Sequence, residues 1–376
     1  MRYRICNRCI MDNNVDEFIT FDKNGMCNHC RSFDENTAII PKTEEEKKIK
    51  FDELIDEMKK DGKGKEYDCV LGISGGVDSA YLAYVAKSAG LRILAVHVDA
   101  GWNTDIAVEN IKKLCKKLEI ELHTVVVDWN TMKELQRAYM FSGLANLDVP
   151  QDHAFLAATY KFAKKYNINY MLNGSNFATE GILPKHYGYA PIDYTNIKDV
   201  YRKHGRKLIS LRKYPKMSLL SYSMMYIGKT KRINLLNYVQ YSKKDAIKFL
   251  NENFDWKYYG GKHFESRFTR FFQGYYLVEK FGYDKKRAHI SSLIVGGELT
   301  REQGLIDIED HSDYPEAQII EDKEYILKKL DISDYEWDSI MKGVNKTEDD
   351  YKNSKKQMEN MVKIKRWVYG RGNSGN

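Results

Sequence analysis

Residues 67–79 read Tyr67-Asp68-Cys69-Val70-Leu71-Gly72-Ile73-Ser74-Gly75-Gly76-Val77-Asp78-Ser79. The apolar, β-branched run up to Ile73 predicts a buried strand. Ala80 to Ala89 is helical in composition and ends at Gly90. A strand, a glycine-rich turn and a helix start in immediate succession make an anion site. Unpaired backbone N–H groups converge there, at the positive end of the helix dipole. Two adjacent glycines let the backbone approach a phosphate with no Cβ between them. Ser74 and Ser79 add hydroxyl donors, and Asp78 supplies a carboxylate to a magnesium ion carried on the phosphates.

Outward from this stretch the strand–helix alternation continues. Leu91 to Val98, Leu122 to Val127 and Tyr170 to Asn173 read as further strands. Thr104 to Leu118 and Asp152 to Tyr166 read as helices, and Thr131 with Glu134 as a capping box. Repeated βα units predict a parallel sheet with helices on both faces. Upstream, Thr43 and Glu46 form another capping box, opening a helix whose stripe is Ile49, Leu54, Ile55 and Met58. Beyond about residue 210 the texture turns aromatic, basic and helical. Ligands of such sheets bind beyond the C-terminal strand ends, which selects Asp99 after the second strand and Gly174 and Asn176 after the fourth. Asp152 and His153, at the start of their helix, are candidates to line the same site, with a helix cap as the other reading of Asp152. Gly228-Lys229-Thr230 lacks the earlier glycine of a Walker loop, so Lys229 reads as a solvent lysine.

Cys6-Asn7-Arg8-Cys9 and Cys27-Asn28-His29-Cys30 are two CxxC pairs with seventeen residues between them. Each pair offers two thiolates, and together they predict a closed, structural four-cysteine zinc site in a ribbon, with Phe18–Phe21 as its strand. Cys69 and Cys115 fall on apolar faces and read as core residues. In the last third, Lys262, His263, Arg267 and Arg270 crowd into nine residues beside Gly260-Gly261. Arg267 and Arg270 are three apart, so on a helix they share a face and are placed to clamp pyrophosphate or a substrate carboxylate. Glu265 and Glu298 are weaker candidates for proton transfer or magnesium.

Hydrophobic content is 43% and net charge +7 in 376 residues. That is ample for a core and suits phosphorylated ligands without requiring nucleic acid. No apolar run reaches membrane-span length, and the start of the chain has no signal region, which predicts a cytoplasmic protein. The organisation expected is a zinc ribbon at 1–36, a linker helix at 37–66, the sheet domain at 67–210, a helical substrate or partner region at 211–370 and a flexible tail at 371–376.

Ser74 to Ser79 matches the SGGxDS string of the PP-loop, so the fold class expected is α/β: a parallel-sheet PP-loop domain of the adenine nucleotide alpha hydrolase type, with an N-terminal zinc ribbon and a mainly helical C-terminal region. The resemblance implies ATP cleavage between the α and β phosphates and adenosine contact at the end of the second strand. More narrowly, the chain resembles the N-acetyl sugar amidotransferases of bacterial surface-polysaccharide and flagellin-sugar pathways. The carrying residues are the paired CxxC ribbon, Val98 to Asn103, Asn173 to Asn176, Gly260 to Gln273, and Lys286 to His289 with Thr300 to Glu302. That resemblance implies conversion of a sugar acetamido group to an acetamidino group, with ATP, Mg2+ and structural Zn2+, in lipopolysaccharide O-antigen or nonulosonic acid synthesis. The residues expected to serve catalysis are Asp78, Lys262, Arg267 and Arg270, and those expected to hold the nucleotide are Ser74, Gly75, Gly76, Asp78, Ser79, Asp99, Gly174 and Asn176. The resemblance also implies separate glutaminase and barrel subunits similar to the halves of imidazole glycerol phosphate synthase. Met1 is followed by Arg2, and no segment reads as a glutaminase, so free ammonia is the expected nitrogen source. Tyr275, Tyr276 and Leu277 are candidates for a docking surface, or for core. The competing reading is a PP-loop tRNA thiolation enzyme, which needs a sulfur-carrying cysteine or a cluster near the nucleotide.

Overall fold

The computed structural model describes residues 2–188, 191–207 and 209–369; the tail expected at 371–376 lies outside them. Five parallel strands, β1 (Cys69–Gly72), β2 (Ile93–Asp99), β3 (Glu121–Val126), β4 (Tyr170–Leu172) and β5 (Lys231–Ile233), lie in the order β3-β2-β1-β4-β5. Val70 pairs with Leu94 on one side and Met171 on the other. The central strands are buried on both faces, which is why they read as continuous apolar runs. Alternation still sorts their side chains. Val70, Leu94 and Val96 enter one core layer, and Cys69, Leu71, Ile93 and Ala95 the opposite one.

Helices α1 (Asn28–Thr37) and α2 (Glu44–Asp61) precede the sheet; α3 (Val77–Ser88), α4 (Asp105–Lys117), α5 (Trp129–Met140) and α6 (Val149–Lys165) connect its first four strands. The chain steps outward from β1 through β2 to β3, then crosses back to place β4 on the other side of β1. That reversal opens a crevice at the C-terminal ends of β1 and β4, where α3 begins. Between β4 and β5 come α7 (Phe177–Glu180), α8 (Tyr194–His204) and α9 (Leu219–Ile227). After β5 the chain is helical: α10 (Lys243–Phe254), α11 (Arg267–Phe271), α12 (Leu277–Phe281), α13 (Lys285–Val295), α14 (Arg301–Asp307), α15 (Glu316–Lys329), α16 (Asp334–Lys342) and α17 (Lys355–Tyr369). A single π-helical stretch, Phe272–Tyr276, joins α11 to α12.

Several local expectations change. Helix α5 starts at Trp129 under an Asp128 cap, so Thr131 lies inside it; Glu134 instead binds Lys207 N–H and Arg206. β5 was not legible, because three residues beginning Lys231-Arg232 carry no apolar pattern. Phe18–Phe21 forms only one bridge, Phe21 to Cys27, rather than a regular strand. Tyr276 and Leu277 are fully buried core and present no docking surface. Helix α2 follows its stripe through Leu54, Ile55 and Met58, while Ile49 is exposed.

Candidate functional site: a phosphate loop facing the C-terminal helices

A cavity of about 410 Å³ occupies the crevice. Ser74, Gly76, Asp78 and Ser79 line one wall, and Asn173, Gly174 and Ser175 continue it from β4. Gly75 lies behind the loop with φ +86°, and a Cβ there would meet Ala107 O at 2.9 Å. Only glycine turns the chain at that point. Gly174 packs against the start of α3, where an added Cβ would come within 3.0 Å of Ser79 N.

Asp78 is held from two sides. Asn176 Nδ2 donates to its Oδ1 at 3.3 Å, Tyr241 donates to the same oxygen, and Lys262 Nζ lies 3.7 Å from Oδ2. Asn176 therefore acts on the site through Asp78, and does not itself line the cavity. Asp99 does not line it either; its carboxylate accepts Gly101 N–H at 2.8 Å and shapes the loop that carries Asn103. Lys262 reaches Glu180 at 3.1 Å and Thr179 O at 3.1 Å. His97 was not anticipated. Its Nδ1 donates to Ile73 O at 2.9 Å and Asn103 Nδ2 donates to its Nε2 at 3.1 Å, while burial lowers its pKa and keeps it neutral. It ties the phosphate loop to the end of β2, and its sequence signal was one polar residue inside an apolar strand.

The opposite wall comes from the chain after residue 258. Thr104 N–H donates to Glu265 O and Arg267 N–H to Trp102 O, both at 2.9 Å, fastening this segment across the edge of the sheet. Glu265, Ser266, Thr269, Gln273 and Lys285 then face the cavity with Tyr259, Lys262 and His263. Glu265 is held by Tyr259 and Ser74, and burial raises its pKa. Its Oε2 has no hydrogen-bond partner among the described residues. With Asp78 of the loop, it gives the cavity two hard oxygen donors, a donor set that suits magnesium. Glu298 is set back and accepts Lys243 N–H at 3.0 Å.

Arg267 and Arg270 do not reach the cavity. Helix α11 turns its Ser266–Thr269–Gln273 face inward, and both guanidiniums go to fully buried Asp322 on α15. Arg270 makes two 2.8 Å bonds to it; Arg267 Nε lies at 2.5 Å and its Nη2 at 2.6 Å from Glu321. Phosphate would have to displace a buried carboxylate, so the clamp expected from their spacing is an internal ion network. Asp322→Ala should therefore cost about 3–5 kcal/mol of stability in urea denaturation, since it leaves the Arg270 guanidinium without a carboxylate and Arg267 with Glu321 alone. Wild-type stability with lost turnover would return the arginines to the reaction.

Lys243 and Lys285 were also missed. Each is the first residue of its helix, α10 and α13, behind the caps Ser242 and Asp284, and each lines the cavity. A cation at a helix start opposes the dipole, and that local conflict was the readable signal. Burial lowers the pKa of both. His153 faces away, bonded to Pro191 O and Met217 N–H, whereas Asp152, inside the first turn of α6, lines the cavity.

The four N-terminal cysteines are buried, with Sγ atoms all within 4.8 Å of one another. Cys6–Cys30 and Cys9–Cys27 are each separated by 3.8 Å. A tetrahedral ion with metal–sulfur bonds of about 2.3 Å has edges of that length. Backbone N–H groups of Arg8, Met11 and Cys30 point at sulfur at 3.4–3.5 Å, as thiolates require. His29 is taken by Asp16. Cys69 and Cys115 are buried away from the cavity, and burial raises both thiols, Cys115 to about 12.

Residues 265–365 match a family model described as LPS biosynthesis protein WbpG-like, C-terminal domain, and residues 50–221 match one described as NAD synthase. The tRNA-specific 2-thiouridylase MnmA 2 of Fusobacterium nucleatum subsp. nucleatum is 28% identical over 118 residues, which are 30% of this chain and 34% of that protein. The tRNA(Ile)-lysidine synthase of Chlamydia pneumoniae is 30% identical over 90 residues, 21% of this chain and 28% of that protein. The chain spans about a third of the length of these curated relatives. Among solved structures, the NH3-dependent NAD synthetase from Campylobacter jejuni subsp. jejuni in complex with the nitrate ion is 16% identical with a TM-score of 0.32, covering 77% of this chain and 95% of that one.

Proposed function

We propose, from the premise that this chain is a PP-loop ATP pyrophosphatase superfamily member with a WbpG-like C-terminal domain, that it converts the N-acetyl group of a sugar to an acetamidino group at the expense of ATP. One observation carries this reading: a single cavity has the phosphate loop on one wall and Glu265, Ser266, Thr269, Gln273 and Lys285 of the WbpG-like segment on the other. An acceptor bound to that segment would face the α phosphate.

An amide carbon resists ammonia because oxide is a poor leaving group. Attack of the amide oxygen on the α phosphorus releases pyrophosphate and leaves an O-adenylated imidate. Ammonia adds to the carbon, and AMP departs with the oxygen. The demand on the protein is positioning and charge neutralisation rather than a nucleophile. The loop N–H groups, Ser74, Ser79, Lys243 and Lys262 are the residues assigned to the phosphates. Asp78 and Glu265 are assigned to Mg2+, which when bound neutralises the departing pyrophosphate. In this reading zinc fills the four-cysteine site as a structural ion, and separate glutaminase and barrel subunits supply the ammonia.

A tRNA thiolation activity is disfavoured because no cysteine lines the cavity among the described residues. The deciding experiment offers the purified protein ATP, ammonium and a panel of N-acetylated sugars, nucleotide-linked and nonulosonic, and follows products by mass spectrometry. The expected product is lighter by the difference between O and NH and forms with equimolar AMP and pyrophosphate. AMP formed only with tRNA and a sulfur donor would refute the assignment.

A further inference from the structure

On the α6 side of the same cavity lies a polar group that the nucleotide chemistry does not use. Asp148 and Asp152, one helical turn apart, both line it, together with Gln151, Thr269, Gln273 and Lys285. The two carboxylates differ in their partners. Asp148 is buried and accepts hydrogen bonds from Gln151 and from Thr269 Oγ1, the latter at 3.3 Å. The Asp152 carboxylate has no hydrogen bond or ion pair among the described residues and is exposed to the cavity it lines. The Lys285 ammonium likewise makes no hydrogen bond or close ion pair among the described residues; it acts on Asp148, Asp152 and Glu180 at longer range and lies 5.6 Å from the Phe272 ring. Of the other titratable groups nearby, Tyr214 donates to Pro150 O, and Glu180 is paired with Lys262.

Two carboxylates and one ammonium leave this end of the cavity one positive charge short of neutrality. Enclosure by protein raises both carboxyl pKa values, and the charge on Asp148 raises that of Asp152 further. Lys285 opposes this and favours retention of a carboxylate. Such a pair takes up a small cation or a proton readily, and an unpartnered carboxylate is free to do both in turn.

Building on the amidination reading, we propose that Asp148 and Asp152 form the entry site of the nitrogen donor, where ammonium binds as a cation and Asp152 takes its proton. One N–H bond breaks and an O–H bond forms on Asp152. The freed lone pair bonds to the imidate carbon, AMP leaves with the oxygen and the bonding electrons, and the amidinium product keeps the added nitrogen's remaining protons. Asp152 is thus the general base of the second half-reaction and has no part in the first.

The test is Asp152→Asn, assayed in three ways against wild type with an acceptor that the wild-type enzyme amidinates. Acceptor-dependent ATP–pyrophosphate exchange should stay within about twofold, because it stops at the imidate. Amidine formation from ammonium at neutral pH should fall on the order of 10²-fold, and the deficit should shrink as rising pH supplies free ammonia. With hydroxylamine, mostly unprotonated at neutral pH, the variant should approach wild type. Equal losses with ammonium and hydroxylamine, or loss of exchange, overturn the assignment. A wild-type enzyme that shows neither exchange nor product across the acceptor panel instead overturns the amidination reading, and this site with it.

Discussion

Gly76→Ala is expected to lower ATP-dependent pyrophosphate release by on the order of 10²-fold or more, with the fold intact. Gly76 has φ −71° and ψ 160°, which alanine adopts without strain. The added methyl, however, points into the site. It would lie 3.0 Å from Glu265 Oε1, 3.1 Å from Ser74 Oγ and 3.3 Å from the Tyr259 hydroxyl. Those groups have to shift by a few tenths of an ångström, and displacements of that kind misalign an in-line attack. Gly75→Ala is a poorer probe, because its positive φ and the 2.9 Å approach to Ala107 O would perturb the loop itself. The measurement pairs steady-state pyrophosphate release with thermal unfolding. Unchanged turnover in Gly76→Ala would remove the loop from the phosphate site.

The second large effect concerns the cysteine cluster. Cys27→Ser is expected to lose the bound metal and several kcal/mol of stability, because free energy of metal binding in such sites, about 10–16 kcal/mol in small zinc domains, is free energy of folding. Cys27 also caps α1 by accepting Cys30 N–H, a role that serine fills well. The loss therefore reports the metal rather than the cap. Its consequences reach the cavity. Arg301 donates to Cys6 O and Cys9 O at 3.0–3.1 Å, Arg287 donates to Ile10 O at 2.9 Å, and Ile10 N–H donates to Ser291 Oγ at 3.3 Å. These bonds tie the cluster to α13 and α14, and α13 begins with Lys285. Elemental analysis should show the metal gone, and hydrogen exchange should show faster opening of 285–295. Wild-type metal content and melting temperature in Cys27→Ser would refute a structural site.

The chain's own pattern determined those parts of the protein whose partners are close in sequence. Residues 67–79 carry strand, turn and helix start within thirteen positions, and the structure has β1, the Gly75–Gly76 turn and α3 there. The two CxxC pairs announce four ligands by spacing alone, and their sulfurs meet. Thr43 and Glu46 cap α2 as a local box predicts. For the loop and the box the deciding contacts run over a few residues; the cysteines meet across 18 and 24 positions, and there the repeated motif itself carries the signal.

Tertiary structure alone decided which face of α11 looks into the cavity. From residues 260–273 the basic side chains are the conspicuous candidates, and three-residue spacing does put Arg267 and Arg270 on one face. What turns that face away is Asp322, more than fifty positions downstream, together with the backbone bonds from Glu265 and Arg267 to Thr104 and Trp102. Turned outward, the two arginines would leave Asp322 an uncompensated buried charge, so the chain presents its quieter residues, Ser266, Thr269 and Gln273, to the ligand space. The same holds for Asp152. Its neighbours in sequence make it look like a cap, and only the packing of α6 against β1 and β2, with Lys285 arriving from α13, turns it into an unpartnered carboxylate beside the phosphate loop. Helical spacing specifies which side chains travel together. The direction they face is set by the strongest partner the rest of the chain brings to them.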